Sequence, residues 1–220
     1  MRSYEVSFYL TYILLLTTGT ITLIEALRTP IPRVQHIMNL ETCISFVACY
    51  FYSVFNDKIK KNHEKKKEIN WKEFTQLRYI DWAITTPIML LALSLVLSYN
   101  SKTKISFHWL LITLFFNYMM LYTGYLGETG KLNTVMSQLL GFIAFLITFA
   151  VIYIQYLLPR YNLDNLIIFG VVFVVWSLYG VAFNFTELNK NITYNYLDLI
   201  AKCFMGIGLW IYYIKIIKLL

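Results

Sequence analysis

Charged residues are scarce in this sequence of 220 residues. Asp, Glu, Lys and Arg make up 14%, hydrophobic residues make up 58%, and the mean hydropathy is +0.57. About a quarter of the residues are charged in an ordinary soluble domain, so these values exclude such a domain and indicate a membrane protein. Three cysteines, Cys43, Cys49 and Cys203, are too few for a disulfide-stapled secreted module. The sequence also lacks a glycine-rich phosphate loop, a metal-spaced His/Cys set and a nucleophile triad, so we expect no conventional enzyme.

The formal net charge of +7 does not indicate nucleic-acid binding. Most Lys and Arg residues lie in short segments between apolar stretches, where lipid headgroups and membrane topology account for them. The longest of these segments, residues 56–72, contains the run KIKKNHEKKK and is predicted to be solvated or bound to headgroups. We therefore expect the lipid bilayer, and no nucleic acid, as the partner of the basic residues.

Seven apolar stretches are long enough to cross a bilayer, because a helix needs about 20 residues to span ~30 Å of hydrocarbon. They are residues 4–27, 34–55, 75–97, 106–126, 133–156, 164–185 and 194–217. Short connectors with Pro, Gly or Asn separate most of them, which makes consecutive helices antiparallel. The pattern predicts an all-α fold, a seven-transmembrane-helix bundle that forms a single domain over residues 1–220.

Few ionisable side chains lie inside the predicted spans, where each costs about 2.5–3.5 kcal/mol at a helix centre. Away from the span ends, where Glu25 for example can reach the interface, they are Glu41 in the second span, Arg78 and Asp81 in the third, and Asp198 and Lys202 in the seventh. Because of this cost we expect them to face the interior of the bundle. Asp198 and Lys202 are four residues apart and so share one helix face. That spacing fits either a neutralising ion pair or a desolvated amine able to condense with an aldehyde.

The third span carries a second polar face. Arg78, Asp81 and Thr85 follow one another in steps of three and four residues, so a cation, an anion and a hydroxyl lie in vertical order. Together with Asp198 and Lys202 they predict a cluster that stays near neutral while one proton moves within it. A structural salt-bridge network is the alternative that spacing alone leaves open.

Three motifs together resemble those of the microbial (type 1) rhodopsins. They are RYIDWAITTP at residues 78–87, WSLY at residues 176–179 and DLIAK at residues 198–202. The first string is very specific, and its occurrence in the third span with Asp-x-x-x-Lys in the seventh makes coincidence improbable. The resemblance covers the whole chain. The compact length of the chain and its richness in Tyr, Phe, Asn and Lys are also similar to those of rhodopsins from algal giant viruses.

The resemblance implies all-trans retinal joined to Lys202 as a Schiff base. It makes Asp81 and Asp198 the counterions, Asp81 the primary proton acceptor, and Arg78 a neighbour on their extracellular side. A dry aromatic slot suits a polyene in which only one double bond should rotate. The family's retinal-pocket positions fall on Tyr79, Trp82, Thr86, Met120, Gly124, Trp176, Tyr179 and Phe183, the last in place of the usual tryptophan, with Tyr52 as a further candidate.

Departures from the family pattern bear on mechanism. Ala92 stands where outward proton pumps commonly have a carboxyl group that donates a proton from the cytoplasmic side. Glu41 falls beside the cytoplasmic half of the third helix, so we hypothesise that it reprotonates the Schiff base; a carboxyl group at the membrane interface is the alternative. On the release side Glu187 is present, but Lys190 takes the place of the family's second glutamate. Gly180 replaces a proline, which makes the sixth helix easier to bend.

The resemblance leaves the function open between three classes. The acid at Asp81 and the hydroxyl at Thr85 favour a light-driven outward proton pump. The alternatives are a light-gated cation channel, with Ala92 and Glu41 along a leak path, and a sensory photoreceptor. We also expect a homo-oligomer, a trimer or a pentamer, and an extracellular N-terminus, although ten Lys and Arg residues then lie outside and seven inside, against the positive-inside rule.

Overall fold

A computed structural model describes residues 2–216 of the chain, including all side chains except those of residues 215 and 216. Seven helices of membrane-spanning length cover this range, and no strand occurs within it. The predicted all-α, seven-helix fold is therefore confirmed. The predicted end of the seventh span at residue 217 lies outside the described residues.

Each span is a helix whose apolar window suits hydrocarbon, where backbone polar groups must be paired within the segment. Each contains an 18-residue window with at most two charged residues. The seventh span is divided into α-helical and π-helical parts. The elements are α1 Ser3–Arg28, α2 Pro32–Glu64, α3 Trp71–Ser101, α4 Phe107–Glu128, α5 Thr134–Tyr156, α6 Leu163–Ala182, α7 Glu187–Asp198, a π-helix Leu199–Phe204, α8 Met205–Ile211 and a second π-helix Tyr212–Ile216.

Helix α2 is longer than the apolar stretch that predicted it. The sequence predicted an end at residue 55 and a solvated connector from residue 56, but the helix continues to Glu64. Lys and Glu are good helix formers, and Asp57 pairs with Lys61 one turn later at 2.6 Å. Ile59 is buried. Hydropathy therefore located the point at which the chain becomes polar. The helix itself extends further, because the residues that follow favour helix and pack against the protein.

The seventh span also begins earlier than predicted. Helix α7 starts at Glu187, seven residues before the predicted start at residue 194. Two polar residues of this first part, Lys190 and Asn191, are buried, and Asn191 donates a hydrogen bond to Thr75 of α3. Hydropathy assigns such residues to a loop because it cannot register that their polar atoms have partners.

The described residues form two compact units. The first contains residues 2–81 and 181–216, and the second contains residues 82–180. In the first unit α1 packs along α2 and against α7, and in the second α4 packs along α5. The core of the first unit is a cluster of buried aromatic residues, Tyr4, Phe8, Phe51, Tyr52, Phe55 and Phe74. A single domain over residues 1–220 stays a prediction.

Gly180 in α6 has a packing role in the second unit. A Cβ atom at this position would lie 2.7 Å from the ring of Phe142, closer than real Cβ contacts. The Gln138 side chain also donates a hydrogen bond to the Gly180 carbonyl at 3.2 Å. The glycine at this position is thus required for the close approach of the Phe142 ring.

Candidate functional site

Lys202 lies at the centre of a charged cluster buried in the first unit. Its side chain is 1% exposed, and its Nζ donates a hydrogen bond to Oδ2 of Asp81 at 2.7 Å. Oδ1 of Asp198 lies 3.5 Å from the same nitrogen. Both carboxylates are fully buried. One amine therefore faces two carboxylates at unequal distances, and Asp81 is the nearer.

The chain has π-helical geometry around Lys202. Asp198 is the last residue of α7, and residues Leu199–Phe204 form a π-helix. In this geometry the hydrogen bonds skip one residue more than in an α-helix, and short π-helical segments occur frequently at functional sites. The spacing of four residues between Asp198 and Lys202 still brings the two side chains together, as the sequence predicted.

Arg78 and Tyr52 bind the second carboxylate. Nη1 of Arg78 lies 3.5 Å from Oδ2 of Asp198 and donates to the Tyr52 hydroxyl at 3.0 Å. The Tyr52 hydroxyl lies within hydrogen-bond distance, 2.8 Å, of Oδ2 of Asp198. The Arg78 Cζ atom is 5.3 Å from the ring centroid of Phe8 and 5.1 Å from that of Phe55. The guanidinium group is thus held in an aromatic environment with its charge directed at Asp198.

Two asparagines of α7 bind the other side of the Arg78 guanidinium group. Nε donates to Oδ1 of Asn191 at 3.0 Å, and Nη2 donates to the Asn191 carbonyl and to Oδ1 of Asn195. The Asn195 amide in turn donates to the Ser7 hydroxyl at 2.8 Å. The sequence analysis missed both asparagines because it followed charge. Asn191 and Asn195 are four residues apart, and Asn195 precedes Asp198 by three. This spacing places both asparagines on the helix face of Asp198 and could have predicted them.

A chain of polar groups continues from Arg78 to the start of α7. Asn191 donates to the Thr75 hydroxyl at 3.1 Å, and Thr75 donates to Oε2 of Glu187 at 3.0 Å. Lys190 donates to Oε1 of Glu187 at 3.1 Å, and its Nζ lies 5.4 Å from the ring centroid of Phe183. Glu187 and Lys190 thus form an ion pair here, and Phe183 packs against it. A role for Phe183 in the retinal pocket stays a prediction.

Other predicted pocket aromatics are buried or half-buried within their own units. In the second unit the rings of Trp82 and Tyr179 meet edge to face at 5.5 Å between centroids. Trp176 meets Phe149 in the same way at 5.8 Å. Tyr79, in the first unit, is buried. Their assignment to a retinal pocket rests on the resemblance and stays a prediction.

Thr86 has a partner that the sequence analysis did not identify. The amide of Asn117 donates to the Thr86 hydroxyl at 2.9 Å, which links α4 to α3 inside the second unit. Thr85 is fully buried, whereas Met120 and Gly124 of α4 are half-buried. Asn117 is uncharged, so the only signal for it in the sequence was a polar residue within an apolar helix.

Glu41 is buried in α2 and is 5% exposed. Its carboxyl group makes no hydrogen bond or ion pair with the rest of residues 2–216. Oε2 lies 3.2 Å from the point that a Cβ at Gly206 would occupy. Gly206 follows Lys202 by four residues, so Glu41 packs against the seventh span one turn beyond the amine. The donor role of Glu41 stays a prediction.

We expect Arg78→Gln to destabilise the purified protein strongly. The substitution removes a buried cation from Asp198, and breaking a buried ion pair costs about 3–5 kcal/mol. Thermal unfolding in detergent, followed by circular dichroism, measures the effect. Arg160→Gln is the matched control, because Arg160 is exposed and donates to the Ser101 carbonyl at 3.4 Å. Equal unfolding temperatures for the two variants would contradict the assigned role of Arg78.

The fold and this cluster define a class of protein: a seven-helix membrane protein with a buried lysine between two aspartates. The family model described as "Bacteriorhodopsin-like protein" matches residues 2–216. The chain therefore belongs to the bacteriorhodopsin-like family. It is a microbial rhodopsin of the viral kind, as the similarities to individual proteins also indicate.

Similar proteins include rhodopsins from several sources. The chain is 46% identical to the viral rhodopsin OLPVRII, with a TM-score of 0.90 over 98% of this chain and 99% of that one. A blue light-absorbing proteorhodopsin from Med12 is 21% identical, with a TM-score of 0.78 over 99% and 100%, and supports the fold alone. A green-light absorbing proteorhodopsin of Gamma-proteobacterium EBAC31A08 is 28% identical over 164 residues. That match covers 62% of this chain and only 60% of the proteorhodopsin's length.

Membership of this family makes the protein a multi-pass integral membrane protein and implies a retinal chromophore, with retinal and membrane lipids as partners. The residues of the cluster fit this group. Lys202 presents a buried primary amine, the nucleophile that condenses with an aldehyde. The two carboxylates beside it compensate the positive charge of a protonated nitrogen at that place.

Proposed function

We propose that the protein is a light-driven outward proton pump with all-trans retinal joined to Lys202. Lys202 would hold retinal covalently through its Nζ, since a primary amine condenses with an aldehyde with loss of one molecule of water. When bound, retinal supplies the absorption of visible light and a change of shape. The observation that carries the proposal is the 2.7 Å hydrogen bond from Lys202 Nζ to Asp81, because proton transfer needs donor and acceptor within this distance.

Asp81 is the proposed acceptor of the proton held at Lys202 Nζ. It is the nearer carboxylate, and Oδ2 of Asp198 already receives hydrogen bonds from Tyr52 and Arg78. Such charge-assisted bonds stabilise the ionised form of Asp198 and make it a weaker acceptor. An acid at Asp81 followed by a hydroxyl at Thr85 favours protons over chloride or sodium as the transported ion.

The exit route lies on the side of the cluster that contains Arg78. Asn191, Thr75 and Glu187 form hydrogen bonds in series from the guanidinium group to the start of α7. With the N-terminus outside, as we propose, the start of the seventh span is extracellular. A proton that leaves Asp81 on this side is then released outwards.

Glu41 is the proposed donor that returns a proton to the Lys202 nitrogen from the cytoplasmic side. Burial without an ionic partner among the described residues favours the neutral carboxyl group, which is the form that can donate a proton. Ala92, at the position of the family's usual donor, has no titratable group. The donor role therefore falls on α2 instead of α3.

We expect Glu41→Gln to slow the recovery of the resting visible absorption after a flash by about a hundredfold or more, since general acid catalysis contributes ~10²–10⁴-fold. Flash photolysis of the protein in vesicles measures the recovery. Glu25→Gln is the matched control, because Glu25 lies near the end of α1 that precedes the start of α2 and is half-buried. If recovery is unchanged in Glu41→Gln, another group is the donor.

Transport itself is tested after reconstitution with all-trans retinal. Illuminated vesicles should change the external pH, and a protonophore should abolish the change. Under voltage clamp a pump passes current in one direction without an ionic gradient, as we expect here. A current that reverses with the gradient would instead identify a light-gated cation channel, and the absence of any current would favour a sensory photoreceptor.

We also propose a homo-oligomer, a trimer or a pentamer. Many large apolar side chains of the described helices are exposed, and they fit contact with lipid tails or with further copies of the chain. Native mass spectrometry of the protein in detergent counts the subunits. A purely monomeric species over the accessible concentration range would contradict the proposal.

A further inference from the structure

Three buried polar groups of α1 and α2 lack nitrogen or oxygen partners in the described part of the chain. The Thr18 and Ser45 hydroxyls are 0% exposed and have no nitrogen or oxygen partner there. The carboxyl group of Glu41 has no partner within residues 2–216 either. More than nine in ten buried polar groups are hydrogen-bonded, and bound water accounts for many apparent exceptions. Three exceptions together therefore require an explanation.

The three groups face one region between α1, α2 and the seventh span. A Cβ at Gly206 would lie 3.0 Å from Cγ2 of Thr18 and 3.2 Å from Oε2 of Glu41, so both side chains pack closely against this glycine. Ser45 is one helical turn after Glu41 on α2. Its Cβ would lie 3.2 Å from a Cβ at Gly19, the residue next to Thr18.

Lys202 is one helical turn from this region. Gly206 follows Lys202 by four residues, which corresponds to about 6 Å along the axis. Cys203, adjacent to Lys202, has its thiol beside the Thr18 hydroxyl. A separation of one turn exceeds the reach of a direct hydrogen bond, so a proton from Glu41 needs intermediate groups. The hydroxyls of Thr18 and Ser45 are the candidates for these intermediate groups, because both side chains lie in this region of α1 and α2.

Neighbouring hydroxyls in the same helices are already satisfied. Thr22 and Thr42 bond to each other at 2.9 Å, and Thr42 also donates to the Met38 carbonyl at 2.8 Å. A general failure to pair hydroxyls in this part of the first unit is therefore not the explanation. The hydroxyls of Thr18 and Ser45 differ from these neighbours in having no nitrogen or oxygen partner among the described residues.

We infer that Glu41, Thr18 and Ser45 hold bound water that relays a proton from Glu41 to the Lys202 nitrogen. A hydroxyl both donates and accepts, so each can bind a water molecule and pass one proton on. The Glu41 oxygen loses a proton, each water and hydroxyl exchanges one, and Nζ gains one. Glu41 is left as a carboxylate until it takes a proton from the cytoplasmic side. The relay rests on the proposed function, whereas the water site does not.

The variants Thr18→Val and Ser45→Ala remove one hydroxyl each with little change of shape, and Thr18→Ser retains it. We expect the double variant to slow recovery after a flash about tenfold and Thr18→Ser to behave like the unaltered protein. The matched controls are Thr20→Val and Ser53→Ala. Their hydroxyls already donate to the carbonyls of Leu16 and Tyr50, so recovery should not change.

Infrared spectroscopy of the retinal-free protein tests the water site independently of transport. The carboxyl band that disappears in Glu41→Gln should shift to higher frequency in the double variant, because Glu41 loses a water hydrogen bond, and H₂¹⁸O should shift the band of the bound water. An unshifted Glu41 band in the double variant overturns the water site. Slow recovery in Glu41→Gln with normal recovery in the double variant overturns the relay and leaves the pump intact. Normal recovery in Glu41→Gln instead removes the proposed donor, and the infrared result still decides on the water.

Discussion

Lys202→Ala is expected to abolish the visible absorption that the protein acquires with retinal. No other side chain of the cluster offers a primary amine, and Lys202 Nζ lies within 3.5 Å of both carboxylates. Without the amine, retinal can bind at most non-covalently and absorbs in the near ultraviolet like the free aldehyde. Absorption spectra of the purified variant after incubation with all-trans retinal measure the loss, which should be complete.

Lys190→Ala is the matched control for this experiment. Lys190 is also a buried lysine of the seventh span, but its Nζ is paired with Glu187. The control variant should keep its colour. After borohydride reduction, mass spectrometry should find retinal on the peptide that contains Lys202. Colour that persists in Lys202→Ala, or retinal on another peptide, would refute the assignment of the linkage.

Asp81→Asn is expected to reduce proton transport by about a hundredfold or more while the protein keeps its colour. The variant has no carboxylate at 2.7 Å from Lys202 Nζ to receive the proton, and a positioned acid or base contributes ~10²–10⁴-fold to proton transfer. The absorption maximum should move to longer wavelength, because one negative charge beside the protonated nitrogen is lost. Light-induced pH changes in vesicles and absorption spectra measure the two effects.

Two further variants separate this effect from a general loss of charge. Asp57→Asn removes an exposed carboxylate paired with Lys61 and should leave both readouts unchanged. Asp198→Asn should impair stability, since it leaves Arg78 buried without its carboxylate partner. Undiminished transport in Asp81→Asn, with normal expression and colour, would show that another group accepts the proton.

The seven spans could be predicted because the cost of placing a residue in hydrocarbon depends chiefly on that residue and its immediate neighbours. The same locality made the boundaries of α2 and α7 wrong. Past residue 55 helix α2 continues with charged residues that pair within it, and before residue 194 helix α7 contains Asn191, which is bonded to α3. Neither kind of pairing is visible to a hydropathy average.

The amine and its carboxylates were also predictable, for two different reasons. Asp198 and Lys202 lie on one helix, where a spacing of four residues brings side chains together, and they are 3.5 Å apart. Asp81 was assigned to the same cluster because an ionisable group inside a span is expected to face the interior of the bundle, and the resemblance added its role as proton acceptor. Its contact with Lys202 joins residues 121 positions apart in the chain, which periodicity alone cannot predict.

The sequence by itself therefore determined the membrane class, the number of helices and the chemical types gathered at the site. Tertiary structure alone decided that Asp81 is nearer the amine than Asp198, that Asn191 and Asn195 hold Arg78, and that Thr18, Ser45 and Glu41 face one region. Each of these depends on how far a helix is rotated about its axis and shifted along it. Interlocking side chains of neighbouring helices set that rotation and shift, and they come from segments far apart in the chain.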